Sequence, residues 1–387
     1  MLLENKQVAI VGGGPGGLTL ARLLQLKGVD VKVYERDFNK DARVQGGTLD
    51  LHFQSGLKAL EDAGLMDAFK VNYRPGAGKG RIVDEHAKIF YDEHNQVSDE
   101  DFSNEWFRPE IDRGPLRDIL LHSLQSDTVV WDSQFVAMSK PGDAWKLEFK
   151  NGTTAIADIV IGADGANSKI RSFITPVKPF YTGVIIVEGS VYNAETMAPS
   201  MHQLLKGGKI YAFGAEKYLH VSSKGDGSLV FYICTKEDEN RVQTSGIDFS
   251  DKRQVLAWLK KEFREWDNVW LELFENAGLP LIPRPQYCMP FDRSWSTLPN
   301  LTMLGDAAHL MPPSGSGVNM AMLDALELSE CLTGNDFEDI PAAIAAYEKE
   351  MQTRAAKEAQ ESLEMTQWML AEGALAKMVQ MLSQIQD

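Results

Sequence analysis

A glycine-rich turn near the N-terminus has the spacing of a dinucleotide-binding loop. Gly12, Gly14 and Gly17, with Pro15 between them, directly follow the apolar residues 8–11. In a Gly-x-Gly-x-x-Gly turn, Gly12 permits the tight turn, Gly14 lets a pyrophosphate approach the backbone, and Gly17 lets the next helix pack on a sheet. The free N–H groups at the N-terminus of that helix favour negative charge. The spacing therefore predicts a dinucleotide-binding loop.

Glu35 is the acidic residue that such a loop is expected to accompany. It ends the strand pattern of residues 29–35, and Arg36 follows it. A carboxylate at this place can accept hydrogen bonds from a ribose diol. The loop and the carboxylate do not by themselves distinguish NAD from FAD, because both contain an adenosine ribose and a pyrophosphate.

A second constellation, near residue 306, distinguishes the two cofactors. Asp306 follows an apolar strand pattern, where its carboxylate can accept hydrogen bonds from the ribityl hydroxyls of a flavin. The next turn can place a helix N-terminus against the pyrimidine edge of the flavin, where it would stabilise negative charge on the reduced ring. The residues of this turn and helix start are Pro313, Gly315, Gly317, Val318 and Asn319.

The pattern of apolar residues predicts elements that position both constellations. Buried strands are expected over residues 8–11, 29–35, 158–163 and 301–306, and helices over 18–27, 115–124 and 318–332. Between them, shorter alternating patterns separated by turn residues predict an antiparallel sheet. Its strands are expected over 183–191, 209–214, 219–223 and 228–234, before a helix over 251–266 and a helical tail from 341 to the end.

These elements predict an α/β fold with a discontinuous organisation. We expect a Rossmann-like FAD-binding domain, an inserted antiparallel β-sheet that forms a substrate-binding domain, and a long C-terminal helix that bridges the two. The expected boundaries are 1–80, 110–175 and 290–335 for the FAD-binding domain, 81–109 and 176–289 for the substrate-binding domain, and 336–387 for the helix.

The composition excludes several classes of partner. The chain has 387 residues, with 39 Lys+Arg against 55 Asp+Glu, which gives a net charge of −16. Partners rich in phosphate require a basic footprint, so the charge argues against nucleic acid and anionic membrane surfaces. No run approaches the roughly 18 apolar residues of a membrane span, and no signal peptide is recognisable. The three cysteines have no disulfide or metal-ligand spacing, so we expect a cytoplasmic protein without a metal. We also expect a monomer.

A third motif completes a set that resembles a known family. The strand pattern of residues 158–163 ends at Asp164 and Gly165. A dinucleotide fingerprint, a central Asp-Gly motif and a late Gly-Asp motif, in this order, resemble the single-component (class A) FAD-dependent aromatic hydroxylases. The resemblance covers nearly the whole chain. It implies FAD as the cofactor and reduction by NADPH.

Local motifs are most similar to the tetracycline-inactivating monooxygenases of the TetX type. They lie at residues 33–37, 42–43, 46–52, 113–117 and 305–313. The resemblance implies a contact of Arg43 with NADPH and contacts of Asp50, Arg113 and Asp306 with FAD. Leu116 and Arg117 belong to the same arginine-containing motif and are expected at the cofactor, as is Asp164.

The resemblance also implies which residues hold the substrate. In the tetracycline enzymes, Gln, Arg and His side chains of the antiparallel sheet hold the drug, and Glu188, Lys209 and Val230 occupy those positions here. A lysine lacks the bidentate fork of an arginine, and a valine cannot form the hydrogen bond of a histidine. We therefore expect Glu188 and Lys209 to contact a substrate that differs from tetracycline.

The activity implied is that of an FAD monooxygenase that consumes NADPH and O₂. It would hydroxylate an aromatic or polyketide-like phenol or enol through a flavin C4a-hydroperoxide, and antibiotic inactivation is one form that this activity takes in the resembled enzymes. No residue stands out as a nucleophile or general base. Two alternatives are an NAD(P)-dependent dehydrogenase without flavin and a flavin-binding protein without turnover. A colourless purified protein would favour the first, and NADPH consumption that no substrate stimulates would favour the second.

Overall fold

The strands of the described part of the chain form four sheets. The computed structural model describes residues 2–42, 46–96 and 100–384. The strands are β1 (Gln7–Val11), β2 (Asp30–Tyr34), β3 (Thr48–Asp50), β4 (Gly80–Asp84), β5 (Ile89–Asp92), β6 (Glu110–Asp112), β7 (Val129–Val130), β8 (Phe135–Ser139), β9 (Trp145–Phe149), β10 (Thr154–Ala157), β11 (Ile159–Gly162), β12 (Phe180–Val191), β13 (Lys209–Gly214), β14 (Lys217–Ser223), β15 (Leu229–Lys236), β16 (Ile282–Cys288) and β17 (Leu301–Met303).

Helices follow most of the strands and make up most of the chain after Gly317. They are α1 (Pro15–Leu26), α2 (Lys58–Asp62), α3 (Met66–Asn72), α4 (Arg113–His122), α5 (Arg171–Ile174), α6 (Ala194–Met197), α7 (Pro199–Leu205), α8 (Arg241–Thr244), α9 (Lys252–Glu262), α10 (Asn268–Glu275), α11 (Asp306–His309), α12 (Gly317–Thr333), α13 (Ile340–Met369) and α14 (Ala374–Gln384). A π-helical turn (Phe53–Leu57) leads into α2, and a 3₁₀ turn (Glu93–Asn95) follows β5.

A five-stranded parallel sheet in the order β17-β11-β1-β2-β7 confirms the predicted Rossmann-type architecture. Its central strands are apolar because helices cover the sheet, and Ile10 and Ile161 are fully buried in the resulting core. Helix α1 packs against α12 in this core. The carboxyl ends of β1, β11 and β17 lead directly into the three predicted motifs, so the sheet brings distant parts of the chain to one edge.

A seven-stranded sheet in the order β16-β12-β15-β14-β13-β4-β5 forms the second layer. Successive side chains of a strand point to opposite faces, and one face here carries Val187, Phe231 and Leu219 into a core with α7, α9 and α10. The other face is open to a cavity. The predicted antiparallel pairing holds for the strands of the insertion, but β13 pairs with β4 in parallel. Two smaller antiparallel sheets, β10-β9-β8 and β3-β6, complete the fold.

Two helix predictions were wrong. The helix expected over 251–266 ends at Glu262, because Asp267 accepts a hydrogen bond from the Val269 N–H and begins a second helix, α10. The expected single helical tail is also interrupted, because Gly373 has φ +79° and separates α13 from α14. No helix of the described ranges is long and apolar enough to span a membrane.

Helices α13 and α14 connect the two layers. The first half of α13 packs on α12 in the core of the parallel sheet through Ile344, Tyr347 and Met351. The end of α13 and the start of α14 pack against β4 and β13, where Met369 and Ala374 contact the cluster around Ile82 and Phe213. The C-terminal segment therefore spans both layers, with a bend in place of the expected straight helix.

Candidate functional site

A single cavity of about 1820 Å³ lies between the edge of the parallel sheet and the open face of the seven-stranded sheet. It brings together nearly all of the residues that the sequence analysis singled out. Those that line it are Gly12, Gly14, Pro15, Gly17, Glu35, Arg36, Asp50, Arg113, Arg117, Asp164, Glu188, Lys209, Asp306, Pro313, Gly315, Gly317 and Val318.

Two predicted site residues within the described ranges do not line the cavity. Leu116 is fully buried in the core of the parallel sheet, so its part in the arginine-containing motif is packing. Asn319 is also buried, and its side-chain amide forms hydrogen bonds with the backbone of His52 and of Asp50 beside the cavity. Arg43 lies outside the described residues.

The glycine turn is shaped by close contacts with the neighbouring strand. A Cβ on Gly12, which has φ +114°, would lie 2.2 Å from the Ala163 carbonyl oxygen, and one on Gly17 would lie 2.2 Å from the Gly12 carbonyl oxygen. A Cβ on Gly14 would meet no atom within 4 Å. Gly14 is also the N-cap of α1 and has no side chain to satisfy the first N–H groups of that helix. The turn is therefore packed on the sheet side and open on the cavity side.

Glu35 organises the edge of the cavity beside this turn. Its carboxylate accepts hydrogen bonds from the Gly13 N–H at 2.6 Å and from the Asp37 N–H at 2.9 Å. Each carboxylate oxygen can accept more than one hydrogen bond, so a ribose diol can still bind here. Arg117 supports the same segment, because it donates to the Lys40 carbonyl at 2.8 Å and pairs with Asp37 at 3.3 Å.

Arg171 joins the two remaining motifs, and the sequence analysis did not place it in the site. Its buried guanidinium donates to the carbonyl oxygens of Asp306 and Ala307, each at 2.7 Å, and to that of Ala166 at 3.1 Å. Asp164 closes the preceding turn by accepting from the Ser168 hydroxyl at 2.6 Å and the Lys169 N–H at 2.8 Å. The spacing of Asp164, Ser168 and Arg171 in the sequence was the signal that could have placed Arg171 in the site. Its role there is to hold backbone carbonyl groups in place.

Asp306 stands at the start of α11, with its side chain accessible from the cavity. Protein atoms surround it on the other sides, and this burial raises the pKa of the carboxyl group, although the charges of His309, Arg113 and Arg171 oppose the shift. It follows Gly305, whose φ is +59°. The carboxylate is placed to accept hydrogen bonds from a ligand in the cavity.

A buried charge cluster holds the Asp306 loop from behind. The Asp324 carboxylate accepts from the Gly305 N–H at 2.9 Å and contacts the His309 ring Nε2 at 2.6 Å. Arg354 of α13 pairs with Asp324 at 2.8 Å and with Glu327 at 2.6 Å. Burial alone would raise the pKa of Asp324, but His309 and Arg354 hold it below its ordinary value. The sequence contains no local signal for this cluster, because its members come from separate helices.

Lys209 is the cation at the junction of the two layers. Its ammonium donates to the Glu110 carboxylate, and Glu110 also accepts from the Thr48 hydroxyl at 2.6 Å. Burial would lower the pKa of Lys209, but Tyr211, Glu110 and Asp50 raise it, so the ammonium stays charged. Burial raises the pKa of Glu110. That Lys209 contacts the substrate stays a prediction. Its ion-pair partner, Glu110, was not revealed by the sequence.

A row of rings crosses the open face of the seven-stranded sheet. Tyr211, His220 and Tyr232 are register partners on β13, β14 and β15, with ring centroids 4.8 Å and 6.1 Å apart. Burial and the nearby Lys209 charge lower the pKa of His220 to about 3, so the ring is neutral at physiological pH. Burial and Glu188 raise the pKa of Tyr232 to about 12. The row offers flat, uncharged surfaces with polar edges.

Glu188 of β12 is the register partner of Tyr232 and lies at the far end of this row. Its carboxylate pairs with Arg284 of β16 at 2.9 Å, and the Arg284 side chain is half exposed. The open face therefore presents a buried Lys209–Glu110 pair at one side and a more accessible Glu188–Arg284 pair at the other.

We expect Asp306→Ala to weaken FAD binding while the fold is retained. A hydrogen bond to a charged group contributes roughly 1.5–3 kcal/mol, which corresponds to an increase in Kd of roughly tenfold to a hundredfold. Fluorescence titration of the apoprotein with FAD measures the change, and Glu330→Ala, which removes an exposed carboxylate of α12, is the control. An unchanged Kd in Asp306→Ala would show that this carboxylate does not contact the cofactor.

Comparison with known proteins identifies the family. The model of a family described as "FAD binding domain" matches residues 5–211 and 298–362. The chain is 26% identical over 408 residues to monooxygenase penA of Penicillium thymicola, covering 91% of this chain and 92% of that protein.

Solved structures show the same fold. The fold of HpxO of Klebsiella pneumoniae, crystallised with FAD and uric acid, matches with a TM-score of 0.77 at 21% identity, covering 98% of this chain and 93% of that one. The tetracycline destructase Tet(51) matches with a TM-score of 0.70 at 18% identity, covering 98% of this chain and 94% of that one.

These findings bear on the first alternative left open by the sequence, a dehydrogenase without flavin. The family match includes the glycine turn, the Asp164 segment and the Asp306 segment, which the structure brings to one cavity. A dehydrogenase without flavin is therefore not supported. The chain belongs to the FAD-binding-domain family of class A flavoprotein monooxygenases.

Proposed function

We propose that this enzyme uses NADPH and O₂ to hydroxylate a planar, polyketide-like phenol or enol. The observation that carries the proposal is the placement of the ring row Tyr211–His220–Tyr232 and the charged Lys209 in the same cavity as the three cofactor motifs. Flat uncharged rings suit an aromatic substrate, and a buried ammonium favours a phenolate or enolate oxygen.

The residues present fit FAD. The open space beside Gly14, at the start of α1, suits a pyrophosphate, and the uncapped N–H groups of that helix favour its charge. Glu35 would hold the adenosine ribose, Asp306 the ribityl hydroxyls, and the start of α12 at Gly317 the pyrimidine edge. When bound, FAD would accept hydride from NADPH and transfer one oxygen atom of O₂ to the substrate.

The protein's own part in this reaction is to bind, orient and exclude water. Lys209 would orient the oxygen of the phenol or enol while the ring row supports the flat face of the substrate. Met365 and Met369 of α13 and Met378 of α14 close another side of the cavity with apolar, adaptable side chains. An enclosed site of this kind protects a reactive oxygen species from water.

We also propose the division into domains that the sequence suggested. Strands β1, β2, β7, β11 and β17 of the parallel sheet come from the segments assigned to FAD binding. Strands β12–β16 of the seven-stranded sheet and nearly all of β4 and β5 come from those assigned to the substrate. This agreement in the origin of the strands supports the proposed boundaries.

Tetracycline is not the substrate that these residues favour. Val230 has no hydrogen-bonding group, and Glu188 is paired with Arg284. A pocket that binds polar ligands discriminates strongly, because a mismatched ligand leaves buried polar groups unpaired. We propose a phenol or enol with fewer polar substituents than the drug.

The deciding experiment is a screen of phenols, enols and tetracyclines with the FAD-loaded protein, NADPH and O₂. We expect substrate-stimulated NADPH oxidation together with a product heavier by one oxygen atom. Oxidation that no compound stimulates would favour a flavoprotein without monooxygenase turnover. Efficient turnover of tetracycline would contradict the preference argued here but not the enzyme class.

We expect substitution of Lys209 to change substrate binding without loss of FAD. Lys209→Met alone leaves Glu110 buried and unpaired, so the double variant Lys209→Met/Glu110→Gln is made beside it to remove both charges. In the double variant, loss of one charged hydrogen bond should raise the substrate KM roughly tenfold, with the same FAD content as wild type. Glu188→Gln should change KM less, because Glu188 already binds Arg284 at the accessible side. Unchanged KM and coupling in all three variants would remove these residues from the substrate surface.

A further inference from the structure

The proposed reaction requires a proton from solvent in each turnover, and the inference below rests on that function. A substrate C–H bond becomes C–OH, NADPH supplies two electrons as hydride, and the second oxygen atom of O₂ leaves as water. The balance is substrate, O₂, NADPH and one H⁺ giving hydroxylated substrate, NADP⁺ and H₂O. Since the cavity must also exclude water from the reacting atoms, the proton needs a defined route.

Asp50 and His52 form a pair that extends from the cavity wall to a site beyond it. Asp50 lines the cavity, and its carboxylate oxygen Oδ2 lies 3.0 Å from the Nε2 atom of His52. The His52 side chain is 24% exposed, yet His52 does not belong to the cavity lining. One end of the pair therefore meets the cavity, and the other end meets solvent elsewhere.

The cavity end of the pair lies beside the turn proposed to hold the flavin. A Cβ on Gly315 would lie 3.5 Å from Oδ1 of Asp50, so the two residues are neighbours. This places the Asp50 carboxylate next to the cofactor turn that precedes α12.

Asn319 holds the pair in position. Its side-chain oxygen accepts a hydrogen bond from the backbone N–H of His52 at 2.8 Å, and its NH₂ group donates to the backbone carbonyl of Asp50 at 2.9 Å. Asn319 is fully enclosed at the start of α12. A buried amide that bonds both backbone segments fixes the separation of the two side chains.

The charges around Asp50 keep its carboxylate ionised. Burial would raise the pKa of Asp50, but the hydrogen bond with His52 and the charge of Lys209 on β13 hold it below its ordinary value. Glu110 on β6, Tyr211 on β13 and His220 on β14 are further titratable groups that interact with Asp50. An ionised carboxylate accepts a hydrogen bond from the ring, so the Nε2 atom of His52 carries the proton.

We propose that Asp50 and His52 form a proton relay between bulk solvent and the flavin side of the cavity. His52 takes a proton from solvent on its exposed side and passes its Nε2 proton to the Asp50 carboxylate. Asp50 then releases that proton into the cavity, which restores its carboxylate. His52 is left neutral with its proton on Nδ1, and rotation of the ring returns an N–H group to Asp50. After each transfer the pair regains its starting charge, that of one carboxylate beside a neutral ring.

A reaction that needs only FAD, O₂ and a proton tests the relay separately from the proposed function. Reduced protein-bound flavin without substrate reacts as FADH⁻ plus O₂ plus H⁺ to give FAD and H₂O₂, so neither NADPH nor a phenol is required. Protein reduced with dithionite and freed of excess reductant is mixed with oxygenated, weakly buffered solution that contains a pH-indicator dye. Flavin absorbance follows reoxidation, and the dye follows proton uptake.

We expect His52→Ala to retain wild-type FAD content but to slow both signals at least about tenfold at neutral pH, since loss of a proton-transfer group typically costs two or more orders of magnitude. Added imidazole should restore the rate. His122→Ala, which alters another exposed histidine, outside the cavity on α4, should behave as wild type. Wild-type rates in His52→Ala, or slow rates that imidazole does not restore, would overturn the relay.

A measurement on the apoprotein checks the pair itself. The ¹⁵N shifts of the His52 ring should report the Nε2–H tautomer, and Asp50→Ala should remove that preference. The same tautomer in both proteins would show that the pair does not control the ring. If the oxygenation screen finds no substrate while the reoxidation and tautomer results hold, the proposed function fails and the relay stands.

Discussion

Gly12→Ala is expected to yield a protein that retains less than about a tenth of the wild-type FAD and unfolds at a lower temperature. The new Cβ would lie 2.2 Å from the Ala163 carbonyl oxygen, and its neighbours there are all backbone atoms that cannot rotate away. The backbone at φ +114° is also unfavourable for alanine. Strain of this kind and a displaced strand together cost on the order of 3 kcal/mol. Flavin absorbance of the purified protein and the thermal unfolding of the apoprotein measure the two effects.

Gly14→Ala is the matched variant in the same turn. Its Cβ meets no protein atom within 4 Å, and its φ of −78° suits alanine, so the apoprotein should unfold at the wild-type temperature. FAD affinity should nevertheless fall, because the methyl group occupies the space proposed for the pyrophosphate. Loss of stability without loss of FAD in Gly14→Ala would show that the cofactor does not approach this side of the turn.

Asp324→Ala is expected to cause the largest loss of stability among single substitutions near the site. It removes a fully buried carboxylate, leaves His309 without its partner and leaves Arg354 with Glu327 alone. Breaking a buried charge pair costs about 3–5 kcal/mol, and urea denaturation would show that change in the free energy of unfolding. The Gly305 N–H also loses its acceptor, so FAD affinity should fall as well. Glu330→Ala on the exposed side of the same helix serves as the control.

The same cluster predicts a direction of acid sensitivity. The pKa of Asp324 is lowered in the folded protein, so the unfolded state binds its proton more readily. The stabilisation is therefore fully present above the ordinary aspartate pKa near 4 and is lost as pH falls through the depressed folded value. The difference in stability between wild type and Asp324→Asn should shrink below pH 4. A difference that is constant with pH would mean that the charge of Asp324 contributes nothing.

The parallel sheet and its motifs were predictable because their signals are local. A buried strand that ends in glycine, and a helix that begins at the next residues, are read from adjacent positions, as at residues 8–17. The pairing partners of Lys209 and Asp324 could not be predicted in this way. Glu110 and Arg354 reach them from elements far apart in the chain, and only the packing of those elements brings the charges together.

The errors in the helices also have a physical origin. The apolar pattern continues through Trp266 and Trp270, so periodicity alone does not reveal that Asp267 caps a new helix. Likewise Gly373 interrupts the C-terminal segment although residues on both sides pack against the same sheet. Leu116 was assigned to the cofactor together with the two arginines of its motif, which do line the cavity, but its side chain packs in the core of the parallel sheet. Spacings of three and four residues place all three on one side of a helix, so periodicity alone could not separate them.

The two-faced β12–β15 region determines how this enzyme can diversify. Its cavity residues, such as Glu188 and Tyr232, alternate with core residues, such as Val187 and Phe231. Point substitutions at every second position can therefore alter ligand preference while the hydrophobic core remains intact. A one-residue insertion or deletion within a strand would exchange the two faces and place apolar core groups in the cavity. Natural variants with new specificities should accordingly differ here by replacements, with length changes confined to the turns.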